Sequence, residues 1–87
     1  MAARSFFISV RNYTGRSWKR EGLGLSHGEW SNNQKSIPPE HISKLTLDRD
    51  GDAIPGTISF ESESGGFATG TEGFVDYIDD KGEKLHI

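Results

Sequence analysis

The segment Phe60-Glu-Ser-Glu-Ser-Gly-Gly-Phe-Ala-Thr-Gly-Thr-Glu-Gly-Phe74 begins like a β-strand, passes through a Gly/Ser/Thr tract and ends where a second strand begins. Four of its fifteen positions are glycine, and glycine permits positive φ and close backbone approach. A tract this polar is not core. We therefore expect a loop between two strands that either shapes a turn or presents Phe67 to a ligand.

The sequence on both sides of this segment also has the period of a β-strand. Apolar residues recur at every second position from Phe6 to Val10 and again from Ile58 to Phe60, a spacing typical of half-buried strands. Further strands are predicted at Ile42–Leu47, Phe74–Ile78 and Glu83–Ile87, with turns at Asn12–Gly15, Asp48–Asp52 and Asp79–Gly82. Six or seven short strands without a helix are typical of an all-β sandwich or barrel.

Length and charge limit the class of protein further. A chain of 87 residues forms one domain, residues 1–87, with a single thin core. The formal net charge of −3 argues against a nucleic-acid partner, because binding to the phosphate backbone requires clustered cations. Four basic residues do lie close together near the N-terminus. We interpret them as a solvated edge, with a patch for anionic headgroups as the alternative: Arg11, Arg16, Lys19 and Arg20.

The N-terminal sequence predicts synthesis in the cytoplasm. Its longest early apolar run, Phe6 to Ile8, is too short for the core of a signal peptide. No stretch approaches the roughly 20 apolar residues of a membrane-spanning helix. The chain has no cysteine, so disulfides and thiolate chemistry are excluded.

Candidate catalytic and metal-binding residues are few. His27, His41 and His86 lie far apart, without the paired spacing of zinc sites. Glu61 and Glu63 share a polar strand face, where carboxylates are usually solvated. We therefore expect no enzyme activity, no catalytic residues, no metal and no cofactor.

A second acidic group resembles the start of a calcium-binding loop. Asp48, Asp50 and Asp52 alternate as such a loop requires, but Ala53 and Ser59 occupy the positions of its glycine and its final glutamate. We interpret the group as the tip of a hairpin, since Asp-Gly favours a primed turn.

The aromatic residues are the best candidates for a functional surface. Trp18, Trp30 and Phe67 lie in or beside polar, Gly-rich segments. With Tyr13 and Tyr77 they either fill the core of a small domain or form an exposed platform. Such a platform would settle at a membrane interface or stack on sugars.

Three motifs in order carry a family resemblance: Asn12-Tyr-Thr-Gly15, His27-Gly-Glu-Trp30, and Glu61 to Gly73 with its Gly70-Thr-Glu-Gly73 block. Together they span nearly the whole chain and resemble the aegerolysin family. The likeness is greatest to the bacterial branch that includes the small component of binary insecticidal crystal toxins. The resemblance implies an acidic, disulfide-free antiparallel β-sandwich.

The resemblance also implies a function. Such a protein binds membrane lipids, is related to cytolysins, hemolysins and other pore-forming toxins, and works with a larger protein that completes the pore. It implies release from the cell and action at target-cell membranes. By position, Trp30 and the Gly65–Gly73 tract resemble the lipid-binding end of family members. The residues predicted to bind lipid are Trp30, Trp18, Phe67, Thr69, Thr71 and Glu72.

Two departures from the family pattern alter what is expected. Fungal members that recognise sphingolipids have an acidic residue where this chain has Thr69, so their lipid specificity is not carried over. Family members also continue beyond the point where this chain stops, at Ile87. This implies either a fragment or a short form that lacks the C-terminal strands of the sandwich. An open sheet edge favours self-association, so we expect a homo-oligomer.

Two other functions remain open from the residues alone. The first is a carbohydrate-binding, lectin-like sandwich that stacks sugars on Trp30 and Phe67 and bonds them through Asn32, Asn33 and Glu72. The second is a structural assembly subunit that has no small ligand.

Overall fold

The computed structural model describes residues 5–64 and 71–87, and these residues are mostly β-strands. The strands in chain order are β1 (Ser5–Asn12), β2 (Trp18–His27), β3 (Glu29–Trp30), β4 (His41–Ile42), β5 (Thr46–Leu47), β6 (Ala53–Ile54), β7 (Gly56–Glu63), β8 (Glu72–Asp79) and β9 (Lys84–His86). A helical turn, α1 (Ser31–Gln34), follows β3.

The strands form two sheets of a sandwich and a separate hairpin. One sheet has the order β1-β7-β3, the other has the order β4-β2-β8-β9, and β5 pairs with β6. All described pairings are antiparallel. The β1–β7 pairing is uninterrupted from Ser5 opposite Glu63 to Asn12 opposite Gly56. The all-β antiparallel sandwich expected from the alternating pattern is thereby confirmed.

The core lies between β7 of one sheet and β8 of the other. Alternate side chains of each strand point inward, so that Ile58 and Phe60 meet Val75 and Tyr77. Each fully buried apolar side chain of this size contributes roughly 1.5–3 kcal/mol. Trp18 and Ile42 complete the buried hydrophobic cluster among the described residues, and Pro38 is also buried.

The predicted turns are confirmed, and Asn or Asp side chains hold them. The Asn12 Oδ1 atom accepts a hydrogen bond from the backbone N–H of Thr14 at 3.0 Å. In the hairpin between β5 and β6, Gly51 has a φ of 84° and Asp48 accepts the N–H of Asp52 at 2.9 Å. Asx-type bonds of this kind favour turns over continued strands.

The strand predicted over Ile42–Leu47 is wrong in its extent. The structure divides it into β4 and β5, with residues 43–45 outside any strand. The Ser43 carbonyl accepts the Asn12 side-chain amide at 2.8 Å, and Leu45 N–H donates to the Thr14 carbonyl at 2.9 Å. These bonds tie the segment to the β1–β2 turn and interrupt its sheet pairing. Together with the short strands β3 and β6, this division gives the described residues nine strands, more than the six or seven predicted.

The expectation of a helix-free chain is corrected at one point, α1. Its residues Asn32, Asn33 and Gln34 have φ values of 60°, 56° and 68°, which place them in the left-handed region. Asn adopts this conformation more readily than most residues. Neither residues 5–64 nor residues 71–87 contain a helix long and apolar enough to cross a membrane.

Candidate functional site: an open cleft between the two sheets

The two sheets separate toward the end of β7 that carries Glu63 and leave an open cleft of about 440 Å³. The first sheet contributes Phe6, Ile8, Trp30, Phe60 and Ser62. The second contributes Leu25, Glu72, Gly73, Phe74 and Val75, with Thr71 and Ile87 beside them. A mainly apolar cleft of this volume, with a few polar groups, lies within the ~300–1,000 Å³ range of small-molecule sites.

Strand register explains why these side chains converge. On β1, Phe6 lies opposite Ser62 and Ile8 lies opposite Phe60. On the facing sheet, Val75 is one of the inward residues of β8. Because side chains alternate between the faces of a strand, one face of β1, one of β7 and one of β8 line the same space.

Trp30 is held at the cleft by the short strand β3. It pairs with Ser62 of β7 and packs against the core while remaining half-buried. Its ring meets Phe60 edge to face, with centroids 6.3 Å apart and planes at 81°. Such a pair is worth about 0.5–1.5 kcal/mol beyond the area it buries, so the position of the indole is well defined.

A glycine and a hydrogen bond shape the polar end of the cleft. Gly28 has a φ of 93°, and a Cβ there would lie 2.5 Å from the Glu63 carbonyl oxygen and 2.6 Å from the Thr71 Oγ1 atom. Thr71 donates its hydroxyl hydrogen to Ser62 Oγ at 2.8 Å. The β2–β3 connection therefore packs directly on the start of β8, and a larger residue at position 28 would push them apart.

Carboxylates lie near this end of the sandwich, those of Glu29 and Glu63 on the outer face of the first sheet. Glu29 lies directly opposite Glu63 in the β3–β7 pairing, where like charges repel each other. Glu72 lies opposite His27 and accepts the Ser26 hydroxyl at 2.9 Å. The end of the molecule that carries the cleft is therefore acidic.

Trp18 lies elsewhere, in the closed part of the core. It is 8% exposed, and the Arg16 guanidinium lies 5.1 Å above its ring. It occupies a central strand between Ile42 of β4 and Asp79 of β8. Of the two alternatives left open for Trp18, this burial favours the core, and it separates Trp18 from the cleft that Trp30 lines.

Asp79 joins the closed part of the core to the β8–β9 turn. Burial opposes ionisation of Asp79, but the N–H groups of Glu83 and Lys81 donate to it at 2.8 and 3.0 Å. Arg16 adds an ion pair at 2.6 Å. Together these donors outweigh burial and hold the pKa of the Asp79 carboxyl below its ordinary value.

The other predicted aromatics divide between core and surface. Tyr77 is fully buried and donates its hydroxyl hydrogen to the Pro39 carbonyl at 2.7 Å; burial raises the pKa of this phenol. Tyr13 is 59% exposed in the β1–β2 turn, at the opposite end of the sandwich from Trp30. Phe67 and Thr69 lie outside the described residues.

The remaining candidate groups do not meet at the cleft. Asn32 and Asn33 are exposed on α1. Two residues of the N-terminal basic group are engaged within the protein: Arg16 pairs with Asp79, and Arg20 donates to the Pro38 carbonyl at 2.5 Å. These contacts favour the interpretation of a solvated, structural edge.

Asp48, Asp50 and Asp52 bring carboxylate oxygens within 4.8 Å of one another at the exposed β5–β6 tip. The Asp48 carboxylate already accepts backbone N–H groups of Asp50 and Asp52. These hydrogen bonds are those of a hairpin tip, as the sequence predicts.

Sequence reasoning did not identify several residues that line the cleft. Leu25, Phe74 and Ile87 come from three distant segments, and no local motif links them. The alternation from Phe6 to Ile8 placed both on one face, but it could not indicate which surface faced them across the sandwich.

A comparison with known proteins adds a family to this geometry. The family model described as Aegerolysin matches residues 3–87. No curated protein and no solved structure matches the chain.

Proposed function

Because the chain belongs to the aegerolysin family, whose members are lipid-binding, toxin-related and generally non-enzymatic, we propose that it binds membrane lipids without catalysing a reaction. The observation that carries this proposal is the open cleft, in which Trp30 stands beside Thr71 and Glu72. Three of the six residues predicted to bind lipid therefore lie together at one end of the molecule.

The chemistry of this end suits a lipid–water boundary. The cleft wall is apolar at Phe60 and Val75 and polar at Ser62 and Thr71. Trp30 combines a large apolar ring with one N–H donor, the combination that concentrates at membrane interfaces. The apolar part of a lipid fits against the cleft wall, and its headgroup lies near the hydroxyls and the Glu72 carboxylate.

Charge restricts the lipid class in this proposal. Glu29, Glu63 and Glu72 lie at the end of the sandwich that carries the cleft, Glu29 and Glu63 on the outer face of their sheet, and the whole chain carries a net charge of −3. Anionic headgroups are repelled by such a surface. We therefore expect zwitterionic or neutral lipids to bind better than anionic ones.

The toxin-related part of the function follows from the family and extends the proposal. The chain acts as the lipid-binding component of a cytolytic system, recruits a larger pore-forming protein and self-associates as a homo-oligomer. Phe67 and Thr69 join Trp30 in meeting the lipid. The protein acts at target-cell membranes after release.

Co-sedimentation with liposomes of varied headgroup composition tests the lipid proposal. Wild-type protein is expected to pellet with zwitterionic liposomes, and Trp30→Ala to lose at least about tenfold in apparent affinity, since ~1.4 kcal/mol corresponds to tenfold. Tyr13→Ala is the matched control, because Tyr13 is an exposed aromatic at the other end of the sandwich.

Equal loss of binding in both variants, or no binding of the wild type to any liposome, would contradict the proposal. A free sugar that releases the protein from its target would instead support the lectin-like alternative, which Asn32 and Asn33 would serve.

A further inference from the structure

The edge strand β1 combines an unpaired backbone edge with apolar side chains on both of its faces. Within residues 5–64 and 71–87, β1 pairs with β7 on one side and with no strand on the other. Phe6, on the cleft face, is 61% exposed, and Phe7, on the outer face, is 64% exposed. Soluble proteins usually protect such edges with charges, proline or a bulge.

The hydrogen-bond pattern identifies which groups of β1 are free. Glu61 N–H donates to the Ser36 carbonyl, on the side of β7 away from β1. Backbone groups of successive residues in a strand point to alternate edges. The N–H and C=O groups of Phe60 therefore point toward β1. Ile8 lies opposite Phe60, so its N–H and C=O groups point toward β7. The N–H and C=O groups of Phe7 and Ser9 then point outward, away from the sheet.

We infer that a second copy of this chain pairs with β1, antiparallel and about a two-fold axis at Ile8. This inference specifies the interface for the self-association proposed above, and it does not depend on lipid binding. In this register the outward groups of Phe7 meet those of Ser9 in the partner copy, while Ile8 faces its own counterpart and Phe6 faces Val10.

Three observations favour a second copy as the occupant of this edge. The outward backbone groups can hydrogen-bond to a paired strand, whereas a lipid chain offers them no partner. On the cleft face, the register places apolar side chains opposite each other, Ile8 against Ile8 and Phe6 against Val10. On the outer face, it brings the two Phe7 rings to diagonal positions within reach of each other. The only charged residue of β1, Arg11, falls opposite Ser5, so like charges do not meet across the pair.

The pairing also covers the side of the cleft. Phe6 and Ile8 of β1 and Ile87 beyond β9 line the same space, so the cleft opens between the β1 and β9 edges. Two copies joined along β1 place these openings side by side, and each copy shields the other's apolar wall. A symmetric, self-complementary contact of this kind is the commonest way in which proteins form dimers.

Cysteine cross-linking tests the register directly, because the chain has no native cysteine. Ile8→Cys places two thiols directly opposite each other in a non-hydrogen-bonded pair, within disulfide reach. Val10→Cys is the matched control on the same strand face; its counterpart is displaced by four residues, about 13 Å. Mild oxidation is expected to convert Ile8→Cys, and not Val10→Cys, into a covalent dimer.

A second pair of variants tests the free edge in solution. Ser9→Pro removes an outward N–H and leaves the β1–β7 ladder intact, which an edge strand tolerates. By light scattering, wild type and Ser9→Ala are expected to have twice the 9.6 kDa mass of one chain, and Ser9→Pro the mass of one. A monomeric wild type at high concentration, or equal cross-linking of the two cysteine variants, overturns the inference. If the two cysteine variants cross-link equally but the wild type is oligomeric, this register is wrong and the broader proposal of self-association stands.

Discussion

The two ends of the sandwich are built from the same strands but are closed to different degrees. At one end Trp18, Ile42 and Tyr77 fill the space between the sheets and are buried. At the other, Trp30 and Leu25 line a cleft that stays open. The difference indicates a division of roles, in which the closed end supplies stability and the open end keeps apolar surface available for a ligand.

The polar contacts differ in the same way. At the closed end the buried Tyr77 bonds to the distant Pro39 carbonyl, and the buried Asp79 accepts nearby backbone N–H groups and pairs with the distant Arg16. At the open end the contacts include exposed or part-buried side-chain pairs, as between Thr71 and Ser62 and between Ser26 and Glu72. Loss of a contact at the closed end should therefore affect folding, whereas loss at the open end should affect mainly the shape of the cleft.

The largest expected effect comes from truncating a buried aromatic. Tyr77→Ala is expected to lower the free energy of unfolding by roughly 3–5 kcal/mol, since it removes a large buried ring and leaves a cavity. Phe74→Ala, at the open end and away from the β1 edge, should cost less because part of that side chain is already exposed. Urea unfolding followed by circular dichroism measures both, and similar losses would refute the division of roles.

Acid should weaken the closed end through Asp79. Its pKa is lower in the folded chain than in the unfolded chain, so the unfolded state binds a proton first as the pH falls. The stabilisation is complete above the ordinary pKa of about 3.9 and is lost as the pH falls through the lower, folded-state value. Thermal unfolding of Asp79→Asn between about pH 5 and pH 2 should show a weaker pH dependence than wild type. If the unfolding temperatures of Asp79→Asn and wild type depend on pH to the same extent, Asp79 is not the cause of the loss of stability in acid.

A smaller effect is expected at the polar end of the cleft. Thr71→Val keeps the shape of the side chain but removes its hydrogen bond to Ser62 and its longer contact with the His27 carbonyl at 3.3 Å, at a cost of about 1 kcal/mol. The same substitution at Thr46, an exposed position on β5, should cost less. Chemical denaturation of the two variants measures the difference. A larger loss at Thr46 would show that the Thr71–Ser62 contact does not hold the two sheets together.

The regular strands could be predicted from sequence because their pattern is local. The alternation of apolar and polar residues predicted β1, β7 and β8. The Asn and Asp residues predicted the turns that follow β1, β5 and β8. The strand over Ile42–Leu47 was overextended because its interruption arises from distant bonds, the side chain of Asn12 to Ser43 and the backbone of Thr14 to Leu45. Local pattern carries no information about such partners.

The cleft could be predicted only in part, for a similar reason. Trp30, Thr71 and Glu72 were selected through the resemblance to a family, and the structure brings them to one end. Trp18 was grouped with them because both tryptophans lie near glycines. What distinguishes Trp18 is its place on a central strand, between β4 and β8, and strand order is not visible in a single sequence.

The most direct test asks which tryptophan meets the lipid. Trp18→Phe leaves Trp30 as the sole indole, and Trp30→Phe leaves Trp18. On addition of zwitterionic liposomes, the emission of the Trp18→Phe variant is expected to shift to shorter wavelength as Trp30 enters a less polar environment, while that of the Trp30→Phe variant stays unchanged. A shift in the Trp30→Phe variant alone, or in neither variant, would contradict the claim that the open end is the lipid-binding surface.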